Sequence, residues 1–196
     1  MANRSRYDEA RSDFDSYVQA LIDEITYFDP ILKGLEVKSC TYRINRDIRF
    51  SPDKTIYKTH LGAYIVRGGK KNGDRFAGYY FHVEPGNSMI AGGAWFPSSE
   101  WLAKIREKIS DEGNKLLSII NDEEFRGMFG QLDGEKLKSA PKGYARDHPY
   151  IDLLRYKGLG VVKILTNSEI CSERGFNIVV RASQMIKPLN DFMNDH

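Results

Sequence analysis

Long hydrophobic runs are what this 196-residue chain most plainly lacks. Its apolar stretches are only a few residues each, far short of the ~18 that a membrane-spanning helix needs. Residues 1–11 are polar and charged where a secretory leader has an apolar core, so a cytoplasmic chain with no membrane partner is expected. Cysteine is nearly missing as well. Cys40 and Cys171 stand far apart, neither with a Cys or His at metal-ligand spacing, which excludes a disulfide framework and a zinc site built on cysteine pairs. Both read as incidental thiols. There is no excess of one charge: 29 Lys and Arg against 27 Asp and Glu leave +2, too little to declare a nucleic-acid or membrane partner from composition. The Gly92-Gly93 pair is accompanied by no phosphate-loop or dinucleotide-loop pattern, and it reads as close backbone packing or a bulge in a strand.

What is present describes one soluble globular domain over residues 1–196, with 41% hydrophobic, 29% charged and 12% aromatic residues. Ala10, Phe14, Tyr17, Val18, Leu21, Ile22, Ile25 and Phe28 recur at three- and four-residue steps and predict an amphipathic helix with an acidic outer face. Asp29-Pro30 stops it, because the proline ring disfavours helical geometry in the residue before it. Alternation begins around residues 37–44, and β-formers fill 60–66, 77–84 and 88–95 between glycine- and proline-rich turns, which predicts an antiparallel meander. Ser98-Ser99 then caps a helix carrying Trp101 to Ile120, which Gly113 is placed to break. A shorter helical piece holds Phe125 and Phe129, and an irregular basic stretch covers 132–157. A strand is expected at 159–166, and Ile178 to Met193 form a final helix that Pro188 should kink or crowd. The fold class is α+β: a meander over 61–95 covered on one face by helices from the N-terminus, the middle and the C-terminus.

Charge is segregated although its sum is small. Residues 42–60 hold Arg43, Arg46, Arg49, Lys54 and Lys58 against Asp47 and Asp53, and residues 134–157 hold six cations, Lys142 among them, against three carboxylates. Each segment is thus +3, and both are rich in aromatics: Tyr42, Phe50 and Tyr57 in one, Tyr144, Tyr150 and Tyr156 in the other. Guanidinium forks, ammonium charges and stacking rings together suit a phosphate-bearing ligand, a nucleic acid or a nucleotide-like metabolite. If the segments meet, Arg43, Arg46, Arg49, Lys54, Tyr57, Lys58, Lys142 and Tyr144 line one cationic cleft. The competing reading is an internal ion-pair network with nothing to bind.

These segments also carry a resemblance. Arg43-x-x-Arg46-Asp47-x-Arg49-Phe50-Ser51-x-Asp53-Lys54-x-x-Tyr57-Lys58, Tyr80-x-His82-x-Glu84-Pro85-Gly86, Gly92-Gly93 and Ala140-Pro141-Lys142-Gly143-Tyr144-x-x-Asp147-His148-Pro149 resemble the bacterial domain-of-unknown-function family numbered 2461. The resemblance spans nearly the whole chain and implies an α+β fold with no established reaction. Members of that family usually begin with a segment bearing an Asn-Asn pair and a Trp-Phe pair, so the expectation is that such a segment is missing here.

For catalysis, His148 between Asp147 and Pro149 is the candidate general base, with Asp147 as its alternate. A phosphoester-directed hydrolase or transferase would use the arginines to hold the anion and Lys54, Lys58 and Lys142 to neutralise developing charge. A scaffold for an acidic protein partner is the third reading. Alternation along the strand from Ala77 puts Tyr80, His82 and Glu84 on one face, where a metal could be held with His60 from the adjacent strand. A solvated polar face explains those residues more simply, and no metal or cofactor is expected. Ser51 in Phe50-Ser51-Pro52-Asp53 has no base within its motif and reads as a turn cap.

Overall fold

A computed structural model of the chain describes residues 4–45, 49 and 54–195. Helix α1 (Arg4–Phe28) buries Phe14, Val18, Leu21, Ile22 and Ile25, the stripe its periodicity predicts. The short helix α2 (Val37–Cys40) follows. The alternation at 37–44 therefore does not make a strand. The Thr41 N–H closes a helical turn onto the Val37 carbonyl, and the stretch meets the sheet only as an isolated bridge of Thr41 to Ala63 with the Tyr42 N–H on the Gly62 carbonyl.

Strands β1 (Leu61–Ile65), β2 (Gly78–Val83), β3 (Ser88–Ala94) and β4 (Leu159–Leu165) form an antiparallel sheet in that order. Between β3 and β4 lie α3 (Ser99–Asn121), α4 (Glu123–Phe129) and the single turn α5 (Ile151–Leu154), and after β4 come α6 (Asn167–Ile170) and α7 (Glu173–Asn194). Ser98 accepts the Trp101 N–H as the cap of α3. That helix kinks at Glu112, beside Gly113, where a Cβ would stand 2.5 Å from the Tyr150 ring. The last helix starts at Glu173, earlier than its apolar period shows, because Ser172 caps it, and it runs through Pro188 as one helix.

Helix α7 lies across β3 with α1 beside it over β1, and α3 packs against α7. Phe81 receives Tyr17 in a stacked pair at 4.8 Å and Phe14 at 6.0 Å, which identifies the covered face as that of Tyr79, Phe81, Ile90 and Gly92. Gly92 is where α7 comes closest: a Cβ there would be 2.1 Å from Ile186 Cγ2. Alternation then assigns Gly62, Tyr80 and His82 to the opposite face, away from the long helices.

Candidate functional site on the open face of the sheet

The described parts of the first basic segment, residues 42–45 and 54–60, pair with one another and with β1 as a strap. Tyr42 N–H donates to the Gly62 carbonyl at 2.9 Å, Asn45 bridges to Tyr57, and Lys58 N–H returns to the Ile44 carbonyl at 2.9 Å. Arg11 of α1 fastens the strap from behind by donating to the Tyr42 carbonyl at 2.7 Å and to Thr41 Oγ1. Tyr42 is thereby set edge-on to Tyr80 at 6.5 Å, and the Lys58 ammonium sits 5.4 Å from the centre of the Tyr42 ring. Burial, and secondarily the Arg43 charge, push the Lys58 ammonium below its ordinary pKa. Burial raises the Tyr42 hydroxyl, and the Tyr80 hydroxyl is pushed up to about 12, again chiefly by burial. Among the described residues no carboxylate forms an ion pair with Arg43 or Lys58.

Beside this cationic pair lies a polar group that register explains. Gly62 pairs with His82 and Leu61 with Val83, so His60 falls opposite Glu84 on the face that His82 shares. The His60 and His82 rings stack at 4.3 Å. Glu84 accepts from Thr59 Oγ1, from Asn87 Nδ2 at 3.0 Å and from His82 Nε2 at 3.2 Å, and these bonds hold its carboxyl down to about 2. A carboxylate only accepts, so in the neutral His82 ring Nε2 carries the proton and Nδ1 receives the Tyr80 O–H at 2.9 Å. Gly62 makes the room: a Cβ there would stand 3.0 Å from the Tyr80 hydroxyl. Burial foremost, then the His82 and Lys58 charges, lower the pKa of His60 and favour its neutral form.

Arg43, Lys54 and Tyr57 lie exposed on the same strap, Arg49 is exposed too, and Arg46 falls outside the described residues. The second basic segment attaches elsewhere. Asp133 bridges to Gly160 of β4, the far edge, roughly 14 Å from β1 at the usual strand spacing. Much of its charge serves its own framework: Arg155 donates to the Leu137 carbonyl at 2.7 Å, Lys157 pairs with Glu135 at 2.5 Å, and Lys136 covers Tyr156 at 4.4 Å. Lys142 and Asp147 are exposed there, and Tyr144 meets His148 edge-on at 6.1 Å. His148 Nδ1 accepts the Tyr150 N–H at 3.1 Å, which leaves Nε2 as the protonated nitrogen of the neutral ring, donating to Ser110 Oγ at 3.1 Å. Both nitrogens of the proposed base are thus engaged, Nδ1 within its own segment and Nε2 in joining that segment to α3.

A pocket of about 230 Å³ opens on the helix-covered side between Asp29, Phe76, Tyr79 and Lys187. Tyr79 donates to Asp29 Oδ2 at 2.9 Å and Lys187 spans Asp29 at 3.8 Å and Asp191 at 2.5 Å. Burial of Asp29 outweighs these contacts and raises its pKa. The polar groups satisfy one another, which is the arrangement of a structural network.

The chain matches the family described as Conserved hypothetical protein (DUF2461) over residues 1–192, and it belongs to that family. No curated protein and no solved structure matches it. Of the site residues, Arg43, Tyr57, Lys58, Tyr80, His82 and Glu84 lie in the motifs that carried the resemblance, whereas His60 and Thr59 do not. Their signal was weaker: both directly precede β1, where register alone sets them against Glu84.

Proposed function

We propose that the protein binds a phosphate-bearing ligand of nucleotide type on the strap along β1, with Arg43 and Lys58 as the anion contacts and Tyr57 as a stacking surface. One observation carries the reading: the strap holds Lys58 partly desolvated beside Arg43, with no carboxylate paired to either among the described residues. Two cations brought together in this way are unfavourable by themselves and favourable around an anion. Tyr57, 61% exposed, offers its ring to a base at little conformational cost. The hydrolase reading draws less support, since both ring nitrogens of His148 are occupied and Tyr144 packs against that ring beside α3.

Fluorescence titration with nucleotides and with short single-stranded DNA and RNA across a salt series tests this. Binding that weakens as salt rises, and that falls in Lys58→Ala and Arg43→Ala, is expected. Absence of binding at every salt concentration, or binding indifferent to both substitutions, overturns it. Binding confined to the polymers would make the ligand a nucleic acid.

A further inference from the structure

We infer that His60, His82 and Glu84 form a binding site for one divalent transition-metal ion of the zinc class. The donor atoms of these three side chains lie within 4.8 Å of one another, two imidazole nitrogens and one carboxylate oxygen. Donors around a tetrahedral ion of this class stand about 3.4 Å apart, since each bond is ~2.0–2.2 Å. His60 and Glu84, both only partly buried, reach that spacing by side-chain rotation, while His82, 7% exposed, is the fixed member. Nitrogen donors of this kind favour zinc, cobalt or nickel over magnesium and calcium, which prefer oxygen alone.

The surroundings supply what metal-ligating imidazoles and carboxylates ordinarily have. Tyr80 stands at His82 Nδ1, and Thr59 and Asn87 orient Glu84. When Nε2 binds the ion, the ring proton resides on Nδ1 and donates to the Tyr80 oxygen, so the tyrosine changes from donor to acceptor with no proton lost from the ring as a whole. Such a partner fixes the tautomer of a ligating histidine. Three protein ligands leave at least one coordination position open, as in catalytic and ligand-binding zinc sites. Lys58 stands two residues before His60 in the chain, so an anion bound to the ion would come close to the strap cation as well. The metal site stands on the three donors and does not require the anion reading to be correct.

Metal binding and anion binding are therefore measured separately. The chelator-treated, dialysed full chain is titrated with Co²⁺, read by its visible absorption, and with Zn²⁺, read by calorimetry, in buffer free of nucleotides and phosphate. Saturation at one equivalent is expected, with cobalt bands of a four- or five-coordinate ion and a rise in Tm on zinc addition. His60→Ala and Glu84→Gln should each weaken binding by at least ~10-fold, Tyr80→Phe by a smaller factor, and Cys171→Ser not at all. Circular dichroism checks that each variant is folded, and because His60 and Glu84 are partly exposed, either alone suffices. No saturable binding by the folded wild type, or wild-type affinity in a folded His60→Ala or Glu84→Gln, overturns the site. Failure of nucleotide binding with metal binding intact would instead remove only the anion reading.

Discussion

The seating of α7 on the sheet depends on Gly92, and the consequence of filling that position can be worked out. In Gly92→Ala the new Cβ would stand 2.1 Å from Ile186 Cγ2, where carbon atoms normally settle at ~3.5–4.0 Å. The methyl in question branches directly from Cβ of a fully buried side chain, so it cannot swing aside as a chain end does. Either the helix retreats by roughly 1.5 Å or Ile186 leaves its rotamer. Overpacking of this kind costs ~1–3 kcal/mol, and replacing glycine returns about 0.4–1 kcal/mol by restricting the unfolded chain. The net expectation is a loss of about 1–2 kcal/mol, or about 3–6 °C in Tm for a chain of this size. Gly93→Ala should be worse, because φ is +117° there and the clash, at 2.5 Å, is with the Leu159 backbone carbonyl. Thermal and urea melts of Gly92→Ala, Ile186→Ala and the double variant form the assay. With Ile186 truncated, Gly92→Ala should cost close to nothing. An equal cost in both backgrounds, or none in the wild type, would refute the close approach.

Asp29 predicts a pH dependence. Its raised pKa means the folded chain keeps this proton to higher pH than the unfolded chain does, so the associated stability is full below the ordinary carboxyl range and lost as pH rises through the folded value. Asp29→Asn keeps an acceptor for Tyr79 and removes the charge, and should flatten that decline. Urea midpoints across acid to neutral pH that run parallel in the two proteins would contradict this. The Tyr17 hydroxyl is buried with no hydrogen-bond partner among the described residues, while its ring stacks on Phe81. Tyr17→Phe should accordingly raise stability by about 1 kcal/mol in thermal melts, and a loss of that size would mean that the hydroxyl has a partner.

Much of the architecture was readable because its causes are local. The apolar steps of α1, the cap at Ser98, and the turn residues between β-rich runs each act within a few positions, and Gly92-Gly93 read as close packing because only glycine tolerates it. The two +3 segments were equally visible as charge. Alternation on β2 placed His82 with Glu84, since side chains two apart share a face whatever the partner strand. Tertiary structure decided the rest. Residues 37–44 alternate, yet Val37–Cys40 closes as a helical turn under α1 because Cys40 is buried there. That His60 stacks on His82, that Arg11 fastens the strap, and that the two basic segments attach to opposite edges all depend on pairing register and strand order. A composition shows which charges and rings a chain carries. Which of them stand within reach of one ligand depends on contacts between residues distant in sequence, and periodicity does not encode those.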